Sequence, residues 1–108
     1  MKILYEDNEI LVCEKPAGVA TESASVSAKD MLSMVKTYLK GAYTAPVHRL
    51  DQPVSGILVF AKTPAAAAGL SAQVRTSDMC KQYLAVVEGK VEAEAEPVVL
   101  TDYLIRDA

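Results

Sequence analysis

Val47-His48-Arg49-Leu50-Asp51-Gln52-Pro53-Val54-Ser55-Gly56 runs straight into Ile57-Leu58-Val59-Phe60-Ala61, and this junction decides the fold. The continuous apolar run is bounded by turn residues and too short for a helix of its own, so it reads as a buried central strand. Pro46, Pro53 and Gly56 punctuate the approach to it and predict irregular backbone. An acid, two potential cations and a hydroxyl therefore sit in a stiff loop held on the most apolar strand. Loops mounted on rigid strands are where chemistry is positioned. On residue types alone the plainer reading is a strand-entry loop in which Asp51 makes local backbone hydrogen bonds.

Upstream, Ile3-Leu4-Tyr5 and Ile10-Leu11-Val12-Cys13 are β-prone runs separated by the polar cluster Glu6-Asp7-Asn8-Glu9, which predicts a hairpin or two adjacent strands. Lys15-Pro16-Ala17-Gly18 stops the second strand, because Pro cannot extend the ladder. Thr21 to Ser27 is small and polar and is expected to be a loop with nothing to bury. Ser27-Ala28-Lys29-Asp30 has the form of a capping box with Asp in the last place. Met31, Leu32, Val35, Tyr38 and Leu39 then recur at helical spacing up to Gly41, predicting a helix from about 28 to 40.

Downstream, Thr63-Pro64 is a capping hydroxyl followed by Pro in the first turn, a good helix entry. Ala66, Leu70 and Val74, with Ala67, form the expected buried stripe of an alanine-rich helix through Arg75. Gly69 weakens that helix by about 1 kcal/mol relative to Ala unless something packs close to it. Gln82 to Glu88 reads as a strand ended by Gly89, and Val98 to Ile105 as another. The expected order is β-β-α-β-α-β-β, with no repeat or linker dividing it. The final strand would end three residues before the end of the chain with no cover, which suggests the N-terminal part of a longer protein and an exposed sheet edge open to self-association.

The 108 residues and 11.6 kDa allow one small domain. Apolar residues at 51% and charged residues at 23% exclude a disordered chain. No apolar run approaches the ~20 residues of a membrane span, so no membrane partner is expected. Cys13 and Cys80 are too few for a disulfide scaffold and lack C-x-x-C spacing, making a reducing, cytoplasmic setting the default. A net charge of −3 argues against a generic nucleic-acid coat but not against one local basic cleft. Glu88, Glu92, Glu94 and Glu96 crowd one stretch, while Arg49, Lys62, Arg75 and Lys81 outnumber Asp51 and Asp78 between residues 48 and 81.

The chain contains no G-x-G-x-x-G, no G-x-x-x-x-G-K-[ST] and no G-x-S-x-G. One His and two distant Cys leave a zinc or iron site short of ligands, so no metal is expected. A Ser–His–Asp triad would have only His48 as its base, three residues from Asp51 in one irregular loop, a spacing that does not indicate triad geometry.

H-R-L-D-x-x-x-S-G at 48–56, followed by the apolar strand and Ala61-Lys62-Thr63, resembles the signature of the RluA-type RNA pseudouridine synthases. Ile3-Leu4-Tyr5-Glu6-Asp7 leading through Ile10-Leu11-Val12 to Lys15-Pro16-Ala17-Gly18 is similar to that family's opening motif. Lys81-Gln82-Tyr83-Leu84-Ala85-Val86-Val87-Glu88-Gly89 is similar to its K-x-Y-x-A-x-V-x-G strand, and Leu100-Thr101-Asp102-Tyr103-Leu104 fits the segment that follows. Two features depart from the pattern. Val54 stands where members often carry Thr, and the later Arg-rich motif ending in His-Gln-x-Arg is absent.

The resemblance implies an α+β catalytic fold with a mixed, largely antiparallel sheet and flanking helices, of which residues 1–108 would be the N-terminal portion. It implies an enzyme that isomerises uridines of ribosomal or transfer RNA, breaking the N1–C1′ bond, turning the base and rejoining it through C5. Nothing is oxidised or activated, so no cofactor is expected. Asp51 takes the place of the catalytic carboxylate, either the nucleophile at C1′ or the base that removes the 2′ hydrogen. Tyr83 takes the place of the active-site tyrosine lying against the uracil. Arg49, with His48 beside it, is placed toward the RNA, against phosphate or in the gap left by a flipped nucleotide. The Arg expected to balance Asp51 belongs to the absent motif; Lys15 and Pro16 are expected to shape backbone rather than touch substrate. The competing reading is a non-catalytic RNA-binding module that retains the fold.

Overall fold

Asp7 builds the first turn: its Oδ1 accepts from the amides of Glu9 at 2.7 Å and Ile10 at 2.8 Å, satisfying backbone donors that the strands cannot reach. The hairpin so made joins β1 (Lys2–Glu6) to β2 (Ile10–Lys15). In the computed structural model, which describes residues 1–90 and 97–104, the next elements are α1 (Met31–Tyr38), β3 (Ala45–Pro46), β4 (Gly56–Ala61) and α2 (Pro64–Arg75). The strands form one four-stranded sheet in the order β1-β2-β4-β3, with every neighbouring pair antiparallel. The fold is α+β, as the resemblance implies.

The apolar run 57–61 does form the strand expected of it, and β4 is central, paired to β2 on one side and to the short β3 on the other. Its two faces differ. Leu58 and Phe60 are fully buried against Leu11 and Cys13 of β2 and Met31 and Val35 of α1. Ile57, on the opposite face, is 58% exposed. Period-two alternation along β2 sends Leu11, Cys13 and Lys15 to the same buried side. Burial pushes the Cys13 thiol up to about 11, so it serves as a small core hydrophobe.

α1 begins at Met31, later than the predicted start near 28, because Asp30 is itself the cap. Its Oδ1 accepts from the Ser33 amide and its Oδ2 from the Ser23 amide, both at 2.7 Å. Burial alone would raise the Asp30 carboxyl, but these hydrogen bonds outweigh it and hold the pKa below the ordinary value. The first helical amides, on Met31 and Leu32, donate to the carbonyls of Ala20 and Thr21 at 2.9 and 3.0 Å. Donors that helices ordinarily leave unpaired thus anchor the preceding loop. Thr21 is consequently 3% exposed, against the expectation that 21–27 has nothing to bury.

α2 enters as predicted, with Thr63 Oγ1 accepting from the Ala66 amide and Pro64 in the first turn. Its stripe is only half-buried: Ala66, Ala67, Leu70 and Val74 lie on the covered side, but no residue of the helix is fully buried. Nothing lies within 4 Å of where a Gly69 Cβ would sit. Gly69→Ala is therefore expected to stabilise the fold by about 1 kcal/mol, a melting rise of roughly 4–8 °C for a domain of this size. A melt unchanged or lowered would show that this glycine has a neighbour outside the described residues.

Two expected strands are absent. Residues 82–88 have no strand partner; Leu84 and Val86 are fully exposed and Tyr83 is 62% exposed. Residues 98–104 likewise form no strand, and Ile105 lies outside the described residues, as do Glu92, Glu94 and Glu96. Alternating β-prone residues make a strand only when an edge receives their backbone groups, and none does so here among the described residues. None of the described helices is long and apolar enough to cross a membrane.

Candidate active site

Lys15 ends β2 on its buried face, opposite Gly56 in the register with β4. A buried ammonium needs all three protons satisfied, and Lys15 Nζ donates to the carbonyls of Pro16 at 3.1 Å, Gln52 at 3.0 Å and Val19. Burial pushes the Lys15 pKa down, while the negative charge of Asp51 raises it. A cation that feels Asp51 is thus built into the start of the chain. Gly18, at φ +90°, turns the backbone so that its amide donates to Gln52 O at 2.8 Å, and Gln52 Nε2 returns a bond to Gly18 O at 3.0 Å.

The other neighbour of Asp51 is held as firmly. Thr21 Oγ1 accepts from the Leu50 amide at 3.0 Å and donates to the Leu50 carbonyl at 2.9 Å. A Cβ on Gly56 would stand only 3.1 Å from Leu50 Cδ1, so the glycine lets that side chain lie close to the strand. Asp51 itself is exposed, and its carbonyl closes a local turn by accepting from the Val54 amide at 2.9 Å. Residues 15–21 therefore grip the loop on both sides of Asp51 and leave its side chain outside.

Arg49 is exposed and pairs with Glu22, Nη2 to Oε2 at 2.8 Å. His48 is turned inward: its Nε2 accepts from the Val59 amide at 3.3 Å, standing where β3 no longer reaches β4. That bond places the imidazole proton on Nδ1, which is buried without a partner among the described residues. Burial, and secondarily the charge of Lys81, push the His48 pKa below its ordinary value. The unfolded chain then binds more protons than the folded one below about pH 6.5, so stability falls as pH drops through that value toward the folded pKa. The melting temperature is expected to fall between pH 7 and pH 5, and by less in His48→Gln; equal falls in both proteins would remove His48 as the cause.

A cleft of about 620 Å³ runs between this loop and the segment after α2, bounded by His48, Leu50, Ser55 and Ile57 on one side and by Met79, Lys81 and Tyr83 on the other. Tyr83 and His48 thus share one cleft, while Asp51 and Arg49 lie on the loop outside its lining. The basic residues do not form one patch. Lys62 lies past the far end of β4, roughly 20 Å from Gly56 at strand rise, bound to Glu6 and to Asp7 O at 2.7 Å each.

Fold and site together define an α+β domain whose antiparallel sheet carries, at one end, a clamped loop presenting a carboxylate. The chain belongs to the RNA pseudouridylate synthase family, whose sequence model matches residues 9–103. It is 37% identical over 97 residues to the ribosomal large subunit pseudouridine synthase C of Escherichia coli, covering 89% of this chain and 30% of that protein. It is 33% identical over 98 residues to the tRNA pseudouridine synthase C of Haemophilus ducreyi, covering 89% of this chain and 40% of that protein. The chain thus spans 30% to 40% of the length of these relatives. The solved structure of human RNA pseudouridylate synthase domain containing 4 superimposes with a TM-score of 0.59 at 24% identity, over 71% of this chain and 30% of that one.

Sequence reasoning singled out the loop but not what grips it. Lys15 was legible as a backbone-shaping residue, and the alternation Leu11, Cys13, Lys15 was the signal that would have put its ammonium inside. Thr21 carries no such signal in the sequence.

Proposed function

We propose that the protein carrying this chain is an RNA pseudouridine synthase acting on ribosomal or transfer RNA, and that residues 1–108 are the N-terminal portion of its catalytic domain. The observation that carries the reading is the loop itself: Leu50 and Gln52 are pinned by Thr21, Lys15 and Gly18, and the carboxylate between them makes no hydrogen bond among the described residues. Such preorganisation suits a group that must meet one sugar carbon in a fixed geometry. A competing RNA-binding module would have no use for it.

Cleavage of the N1–C1′ bond builds positive character on the ribose, and the Asp51 side chain meets it, by attack on C1′ or by removal of the 2′ hydrogen. Uracil leaves through N1 and turns, and C5 bonds to C1′ as Asp51 is released from that carbon or its hydrogen is returned to C2′; the C5 proton then leaves to solvent, aided by Tyr83, and N1 takes one proton from solvent in exchange. The atoms balance without oxidant, reductant or cofactor. Arg49 contacts the RNA backbone, and His48, which lines the cleft, borders the bound RNA through its ring. Support for an RNA-facing Arg49 is its exposure and its bond to a carboxylate, which a phosphate oxygen can replace. A cytoplasmic setting follows from an RNA substrate and from two unpaired cysteines, Cys13 and Cys80. The self-association expected through the edge of a final strand at 98–105 finds no support among the described residues, where 98–104 form no strand.

Tritium release from unmodified ribosomal or transfer RNA carrying C5-tritiated uridine tests the activity in the intact protein. No release from either RNA would end the reading. Arg49→Ala is expected to weaken RNA binding and to flatten its salt dependence by about one phosphate's worth of slope; unchanged slope and affinity would confine Arg49 to its pair with Glu22.

A further inference from the structure

We propose that Thr21 is a positioning residue for Asp51, an inference that rests on the synthase reading above. Its hydroxyl both accepts from and donates to the backbone of Leu50, at 3.0 and 2.9 Å, so one side chain fixes both faces of the residue directly before the carboxylate. Its own carbonyl accepts from the Leu32 amide at 3.0 Å, tying it to the start of α1. Leu50 is in turn held from its other end, 8% exposed and seated against Gly56. Thr21 is therefore the link through which the helix sets the position of the Asp51 loop. Lys15 and Gly18 hold the following residue, Gln52, through its carbonyl, and do not fix the Leu50 side.

A β-branched hydroxyl suits the task. The methyl group restricts χ1, so the oxygen is held where both Leu50 groups can reach it. Valine keeps the shape and loses both bonds; serine keeps the hydroxyl and loses the restraint. Misplacement of a reacting group by about 1 Å costs on the order of 100-fold in rate, and partial loosening costs less.

The test is tritium release by the intact protein at saturating RNA, well below each variant's melting temperature, for wild type, Thr21→Val, Thr21→Ser and the core variant Val35→Ala. Val35 is fully buried on α1 in the same core cluster as Leu50, and its truncation loosens that core while leaving both partners of the Thr21 hydroxyl in place. The expected result is kcat lowered about 30-fold in Thr21→Val and about threefold in Thr21→Ser, with KM for RNA unchanged and Val35→Ala within twofold of wild type. A folded Thr21→Val with wild-type kcat overturns the inference, as does a Val35→Ala that loses as much. If Thr21→Val does not fold, Thr21→Ser decides: lowered kcat at unchanged KM and melting temperature supports the inference, and wild-type kcat overturns it. An inactive wild type overturns the synthase reading and this inference with it, an outcome distinct from an active wild type that tolerates Thr21→Val.

Discussion

Asp51→Asn in the intact protein is expected to lower pseudouridine formation on the order of 10⁴-fold, the scale seen when a group central to the chemistry is removed, while the melting curve stays within a degree or two of wild type. The reason for the small structural effect is on the surface of the loop. Asp51 is exposed, and among the described residues its side chain accepts no hydrogen bond; the turn it closes uses its backbone carbonyl, which asparagine retains. The chemical effect is large because an amide neither attacks C1′ nor takes a proton at neutral pH, and no second acid lies in the loop from Val47 to Gly56. Tritium release at saturating RNA, alongside a thermal melt, separates the two effects. Turnover near wild type would remove Asp51 from the chemistry; lost turnover with a collapsed melt would make it a structural acid.

Lys15→Met carries the second large effect, and here stability moves first. Methionine fills the volume of the lysine stem with apolar atoms but bonds to nothing. Gln52 O keeps the Gly18 amide at 2.8 Å and Pro16 O keeps a long bond from Val19 N at 3.4 Å, whereas Val19 O loses the ammonium without another described donor. Hydrogen bonds to charged groups contribute about 1.5–3 kcal/mol each, offset by the cost of burying the charge. A net loss of about 2–3 kcal/mol is expected, lowering the melting temperature by roughly 10–20 °C at this domain size. Activity should fall as well, since Gln52 is then held by Gly18 alone and the cation that feels the carboxylate is gone. A thermal melt of Lys15→Met decides the point: an unchanged midpoint would mean that the carbonyls find other donors and that the ammonium is not what holds the loop.

Much of this was readable from residue order alone. Asp7 in a polar cluster between two β-prone runs made the hairpin, Thr63-Pro64 made the entry to α2, and an unbroken apolar run made β4 central. Those are local effects: a side chain caps its own turn, a ring fixes its own φ, and apolar residues must be covered. The loop at 47–56 was legible for the same reason; Asp51, Arg49 and His48 became candidate residues only through the resemblance of the ordered motifs to the family. Tertiary structure decided what neighbours do to one another. The stretch 82–88 has the alternation of a strand and remains irregular, because a ladder is the joint property of two edges. His48 reads as a cation beside Arg49, yet it is turned inward to receive the Val59 amide, because β3 ends too early to do so. Thr21 reads as a loop residue; it is buried because the carbonyls of 20–21 meet the open amides of α1, and that docking brings its hydroxyl to Leu50. Residue types determined which groups are present and which turns and helix caps form; the meeting of strand edges determined which strands form, and only the packing of 15–21 beneath the loop determined that the backbone on both sides of Asp51 is bonded in place.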